Sequence, residues 1–370
     1  MTNPLITLGE LGQSPWYDHI TRDMVSGGEL QRLIDDDGLR GMTSNPTIFE
    51  KAVSGSRLYD DDLRRLAAEG AGAAGIFDEF SAEDVRDACD LFRPVYDASG
   101  NGDGTVSIEV GPALANEDAA TAREAARLWT AVGRPNVMIK IPGTRAGLGP
   151  IEQSIAAGIN VNITLLFSVE RYREVIEAFL RGLERRVAEG KDVSNVHSVA
   201  SFFVSRVDTK VDPLLDRAGD PHQIRGRTAI ANAAMAYRLF EETLASARWR
   251  ALEARGARPQ RPLWASTSTK DPKYPDTYYV EALIAPQTVN TLPPETFDAY
   301  RDHGKPEIRI HEAEARAEKD LAALAASGID LAQVTHELEV EGVKKFAASH
   351  DQLIKGIETK LEALAVGKAP

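Results

Sequence analysis

VMIKIPGT, residues 137–144, is an apolar run broken by one lysine and closed by a Pro-Gly pair. Val137-Met138-Ile139-Lys140-Ile141 reads as a short strand buried on both faces, the pattern of a parallel sheet covered by helices. Charged side chains are seldom buried without a partner or a purpose. Lys140 therefore reads either as half of a structural ion pair with Glu109 or as a functional amine.

Similar short runs recur at 16–20 (WYDHI), 40–44 (RGMTS), 105–110 (TVSIEV), 136–141 (NVMIKI), 159–166 (INVNITLL), 197–203 (HSVASFF), 262–267 (PLWAST) and 287–291 (QTVNT). Between them lie stretches with apolar residues at helical spacing, among them EDAATAREAARLWTAV, SVERYREVIEAFLRGLERRVAEG and TAIANAAMAYRLFEETLASARWRALEARG. Eight strands alternating with helices fit a closed (β/α)8 barrel better than an open doubly wound sheet. Two segments exceed that plan, helical material at about 47–97 and at about 312–365. Both are expected to pack outside the barrel, leaving one domain over residues 1–370, with no internal repeat and no linker that marks a boundary.

The chain has 370 residues, 43% of them hydrophobic and 27% charged, enough to bury a large core. A formal net charge of -13 argues against nucleic acid or anionic lipid as partner, since both repel such a surface. The start MTNPLITLGELG lacks the regions of a signal peptide, and no apolar run approaches the ~20 residues of a membrane span. The expectation is a cytoplasmic protein. Its one cysteine, Cys89, falls with Val85 and Phe92 on one side of a helix and reads as a core thiol. The seven histidines show no paired metal spacing, so neither a metal nor a cofactor is expected.

Chemistry in such a barrel sits at the C-terminal ends of the strands. Unusual polar residues gather there: Asp18 within the first run, Asn45 after the second, Glu109, Lys140, Asn162 and Thr164, Ser201 leading to Arg206, then Ser266 and Lys270. Each alone has a plain reading, and Asn45 before Pro46 reads equally as a turn or helix cap. Together they suit imine chemistry. An exposed lysine has a pKa near 10.4, so only roughly one amine in a few thousand is neutral at pH 7. Burial can lower an amine by up to ~3 to 5 units. Once an amine has condensed with a ketone, the protonated imine is an electron sink, and nearby carboxylates such as Asp18 and Glu109 can shuttle the protons.

The stretches TSNPTIF (43–49), VSIEV (106–110), VMIKIPGT (137–144), NVNITLLFS (160–168), ASFFVSRVD (200–208) and WASTSTKDPKYPDTYY (264–279) are similar, in this order, to motifs of the transaldolase family. The resemblance covers about residues 16–292. It implies a (β/α)8 barrel that moves a dihydroxyacetone unit from a ketose phosphate, sedoheptulose 7-phosphate or fructose 6-phosphate, to an aldose phosphate in the pentose phosphate pathway. It implies Lys140 as the imine lysine, Asp18 as the acid/base for the C4 hydroxyl, and Glu109 with Thr164 as handlers of the catalytic water. By the same resemblance Asn45 and Asn162 hold the dihydroxyacetone hydroxyls, while Ser201, Arg206 and Ser266 bind phosphate. Sugar phosphates are then the partners, in a monomer or homodimer.

Many family members carry an arginine two residues beyond the last serine, where this chain has Ser268, and Lys270 is the nearest cation. Lys270 is expected to replace it, as a point charge instead of a planar fork. Related fructose-6-phosphate aldolases carry glutamine and tyrosine at the positions of Glu109 and Phe203, so these two residues favour a transferase and place Phe203 in the substrate site. DASGNGDGT (97–105) resembles a calcium loop, but its twelfth position is Ile108 and a strand follows it, which favours a tight turn. The TKDPKYPDTYY segment reads as a connector or a lid.

Overall fold

The computed structural model describes residues 3–115 and 117–365; the rest of the 1–370 span lies outside the described residues. Eight parallel strands close into a barrel in chain order. They are β1 Gln13–Tyr17, β2 Gly41–Thr43, β3 Thr105–Glu109, β4 Val137–Pro142, β5 Val161–Leu166, β6 Ser198–Phe203, β7 Gln260–Ala265 and β8 Thr288–Leu292. β1 closes onto β8 with Gln13 opposite Thr288 and Tyr17 opposite Leu292. The expected (β/α)8 architecture is present, with the barrel filled by Trp16, Met138, Val199, Leu263, Ala265 and Val289. Gly41 is required beside this core, because a Cβ there would lie 2.5 Å from the Trp16 ring.

Three elements differ from the sequence reading. β1 begins three residues before the expected 16–20 run and carries Pro15 in its interior, a poor strand position that the sequence pattern passes over. β7 ends at Ala265 and not at Thr267, because Ser266 turns into the left-handed region with φ +56°. The expected helix over TAIANAAMAYRLFEETLASARWRALEARG is two helices, Thr228–Ala245 and Ala247–Glu253. Ser246 between them is extended and its side chain accepts from Trp249 N, so it starts a new helix.

Polar residues staple the opposite end of the barrel, where the strands begin. Asp103 accepts from Ser14 Oγ at 2.6 Å and from Arg261 Nη2 at 3.0 Å. The calcium-like loop is therefore tied to β1 by Ser14 and to β7 by Arg261, far along the strands from their C-terminal ends. Cys89 lies with Val85 and Phe92 in the core, all without exposure.

The additional helical segments do not simply pack outside. The first forms helices Pro46–Gly55, Asp60–Ala68 and Ala73–Ala98, and the second forms Ile310–Ala326 and Leu331–Ala365. The last of these runs across the C-terminal mouth of the barrel. Gly342 meets Leu165 and Phe167 at the end of β5, where a Cβ would stand 3.1 Å from Leu165 Cδ2. Seven residues further, Ser349 Oγ accepts from Thr47 Oγ1 of helix Pro46–Gly55 at 3.0 Å. Arg171 to Glu339 at 3.3 Å and Lys210 to Glu337 and Glu341 at 2.7 and 2.6 Å hold its first half. Lys360, nearly buried, holds its second half through Val53 O, Ser56 O and the Asp60 carboxylate.

Lys360→Met removes the cation and leaves these buried oxygens unmet, a type of change that costs about 3 kcal/mol. Urea unfolding should therefore shift to lower midpoint by that amount. A loss below about 0.5 kcal/mol would mean that Lys360 does not hold this helix.

Candidate active site

Lys140 lies near the C-terminal end of β4, directly before its closing Ile141-Pro142, with Glu109 opposite it on β3 and Asn162 opposite on β5. Register thus brings all three to the inward face. The ammonium donates to Glu109 Oε2 at 3.4 Å and to Ser44 O at 3.3 Å. Both contacts are long, so the amine is located but not saturated. The Glu109 side chain is only 8% exposed, and desolvation pushes its carboxyl up to about 7 against the lowering effect of the adjacent Lys140 charge. A carboxyl that exchanges its proton near neutrality can serve as acid and as base in turn.

Asp18 follows β1 and is oriented by hydroxyls. Thr43 Oγ1 donates to Asp18 Oδ1 at 2.6 Å and lies 2.7 Å from Thr291 Oγ1. A hydroxyl has one proton, so Thr291 must donate to Thr43 as Thr43 donates to Asp18. One oxygen of Asp18 is thereby committed as acceptor. Neither threonine stands out in the sequence as a site residue, although Thr43 opens the TSNPTIF motif.

Asp18, Asn45, Glu109, Lys140, Thr164, Ser201, Phe203, Arg206, Ser266 and Lys270 line one cavity of about 580 Å³. Asn162 does not reach it. Its amide donates to Ser107 Oγ at 3.0 Å and its Oδ1 accepts from Ser201 Oγ at 2.7 Å, so it forms the layer beneath. Asn45 is a helix cap whose Oδ1 accepts from Ile48 N at 3.1 Å, which leaves its NH2 group for another acceptor.

Arg206 sits in the first turn of helix Ser205–Ala218. Its guanidinium lies 5.3 Å from the Phe203 ring centre, and Phe203 packs on Phe167 with centroids 5.1 Å apart. No carboxylate pairs with Arg206 among the described residues, and burial lowers its pKa while the field of Asp18 opposes this. An unpaired guanidinium at a helix N-terminus is suited to an anion. Ser266 stands beside it, its Oγ 3.1 Å from Ser205 Oγ. Lys270 is exposed and donates to Ser268 Oγ at 2.6 Å. The TKDPKYPDTYY segment is tied down, by Arg225 to Asp271 at 2.7 Å, Tyr274 to Asp212 at 2.7 Å and Tyr279 to Asp208 at 3.0 Å. It is a fastened connector.

The cavity also receives residues that the sequence did not point to. Thr47 and Lys51 come from helix Pro46–Gly55, and Gly342, Lys345, Phe346 and Ser349 from helix Leu331–Ala365. The only sequence signal for the latter is a lysine pair in a long amphipathic helix, which by itself reads as a solvated face.

The family model described as Transaldolase/Fructose-6-phosphate aldolase matches residues 15–357. The chain is similar to a transaldolase of Frankia alni, 50% identical over 98% of each chain. It is 52% identical to a transaldolase of Acidothermus cellulolyticus, again over 98% of each. A transaldolase of Thermobifida fusca is 48% identical over 98% of this chain and 100% of that one.

The raised Glu109 carboxyl has a direct readout. It is protonated below about pH 7 and ionised above. Relative to an ordinary value of roughly 4.3, the folded chain holds this proton more tightly, so the group's contribution to stability declines as pH rises between the two values. Infrared titration of protein labelled with 13C-glutamate should show a buried carboxyl step near pH 7 that Glu109→Gln removes. Lys140→Met should move the step upward, since it deletes the charge that lowers it. A step in the ordinary range in the parent protein would rule out the assignment.

Proposed function

This chain belongs to the transaldolase/fructose-6-phosphate aldolase family and acts as a transferase of the transaldolase kind, and we propose that it does so through a Schiff base on Lys140. The observation that carries this reading is the Lys140 amine, buried at a strand end beside a carboxyl poised near neutrality and facing a cavity with an unpaired arginine. Sugar phosphates are its substrates. The donor is sedoheptulose 7-phosphate or fructose 6-phosphate and the acceptor glyceraldehyde 3-phosphate or erythrose 4-phosphate, as in the non-oxidative pentose phosphate pathway.

The amine attacks the ketone carbon of the donor, and the resulting carbinolamine loses water. Glu109 gives the proton that lets this water depart, with Thr164 as its hydroxyl neighbour in the cavity. The protonated imine then draws electrons from the C3–C4 bond as Asp18 takes the C4 hydroxyl proton. The bond breaks, its electron pair forms an enamine on Lys140, and the aldose phosphate leaves. An incoming aldehyde accepts the enamine carbon, Asp18 returns a proton to the new alkoxide, and Glu109 activates the water that releases the product.

Binding follows from the remaining side chains. The free amide NH2 of Asn45 and the hydroxyl of Ser201 take the dihydroxyacetone hydroxyls, and Asn162 acts through Ser201 as a positioning residue. Phe203 forms the apolar wall beneath Arg206, which takes the phosphate with Ser266 and Lys270. Among the described residues no helix is long and apolar enough to cross a membrane. The working form we propose is one cytoplasmic domain, as a monomer or homodimer.

Borohydride added with fructose 6-phosphate should inactivate the protein and leave a three-carbon adduct on Lys140. Mapping of the adduct to another lysine, or recovery of no adduct, would overturn the mechanism. Asp18→Asn should still form a trappable imine but cleave C3–C4 at least about a hundredfold more slowly, the low end of what a positioned acid/base contributes. Normal turnover in that variant would make Asp18 structural. Arg206→Ala should raise KM for phosphorylated donors by roughly ten- to a hundredfold, the worth of one charge-assisted contact, with a much smaller loss on unphosphorylated donors.

A further inference from the structure

The chain holds 56 acidic side chains against 43 basic ones, and many of its arginines are clasped by carboxylates, as Arg248 is by Glu177 and Glu184. The catalytic cavity departs from this pattern. Beyond the Lys140–Glu109 pair, Arg206, Lys51, Lys270 and Lys345 line it without a carboxylate partner among the described residues, facing only Asp18 and Glu295. Unpaired cations concentrated in one cavity of a chain of net charge -13 form a focused site for a dianion.

These cations are not equivalent in position. Helix Leu331–Ala365 runs from Gly342 over the end of β5 to Ser349 against Thr47, just past the end of β2. Lys345 and Phe346 lie between these two points and line the cavity together with Glu109 and Lys140. Lys345 shares a helix face with Ser349, four residues on, and with Gly342, three residues back. The two helices run side by side in the same direction, since Thr47 meets Ser349 while Val53 and Ser56 meet Lys360. Lys345, four residues before Ser349, and Lys51, four residues after Thr47, line the cavity from the two neighbouring helices. Lys51, Lys270 and Lys345 are all exposed, but Lys270 is engaged with Ser268.

We propose that Lys345 of the C-terminal helix is a specificity-determining contact to the phosphate of the sugar substrates, reaching from the helix into the cavity that Arg206 and Ser266 also line. The proposal rests on the reading of the cavity as a sugar-phosphate site. It gives the helix a chemical role: its anchors at Lys360, Lys210 and Arg171 hold an ammonium at the cavity that Arg206 lines from the barrel. Lys51, on the same rim, adds to the attractive field without closing on the phosphate.

Steady-state kinetics of three variants on fructose 6-phosphate and on unphosphorylated fructose test this. Lys345→Ala should raise KM for fructose 6-phosphate about tenfold, as expected for one charge-assisted contact, and weaken competitive inhibition by inorganic phosphate by a similar factor. Its loss on fructose should be several times smaller. Lys345→Arg should restore most of the affinity. Lys344→Ala deletes the same charge one residue away, beside Thr144 and Arg145 in a separate groove, and should leave both donors near the parent values. Equal effects of Lys345→Ala and Lys344→Ala, or equal losses on the two donors, would overturn the proposal. Arg206→Ala measured alongside separates the two readings. If it is selective for the phosphorylated donor and Lys345→Ala is not, only the role of Lys345 falls; if neither is selective, the phosphate reading falls with it.

Discussion

An ammonium buried in a barrel wall is tolerable only if a counter-charge is buried with it, and much of this molecule serves that condition. Lys140 and Glu109 occupy opposed positions on neighbouring strands, so the pairing is set by register and not by flexible side chains. Taking two charges out of water costs several kcal/mol per ion, and an interior pair repays that only with good geometry. Here the geometry is deliberately slack, with contacts of 3.3 and 3.4 Å. The pair is consequently a poor source of stability and a good source of reactivity. Stability comes from elsewhere, from the apolar barrel layer around Trp16 and from the shell of helices packed on the strands.

The opposite end of the barrel shows what a pair built for stability looks like. Asp103 receives Ser14 and Arg261 at 2.6 and 3.0 Å, and Arg40 approaches at 3.5 Å. The same residue types, carboxylate and cation, thus fulfil different functions at the two ends. Distance decides which: contacts near 2.6–3.0 Å commit the groups to each other, and longer ones leave them available.

Much of this was legible in the sequence, and the residues show why. β4 and β5 stand out because buried parallel strands are continuous apolar runs, so one lysine or asparagine within them is conspicuous. β1 is displaced because a mid-strand proline is invisible to a pattern that treats proline as a boundary. Asn162 reads as a ligand-facing amide, yet an inward direction does not specify depth, and the hydroxyls of Ser107 and Ser201 claim it first. Lys345 was out of reach for a different reason. A solvated lysine and a lysine lowered over a cavity have the same helical pattern, and only the close passage at Gly342 distinguishes them.

The hydroxyl relay that ends on Asp18 has a stereochemical consequence. Thr291 and Thr43 each have a single proton, so the relay has one direction and fixes which oxygen of the carboxylate remains free. That oxygen projects from the β1 side of the barrel, while the enamine is tethered to β4. An aldehyde can deliver its oxygen to the returning proton only when it presents one face to the enamine carbon. The handedness of the new carbinol thereby depends on the two threonines that hold Asp18, and a mirror-image product would require the proton to arrive from a wall other than the one Asp18 occupies.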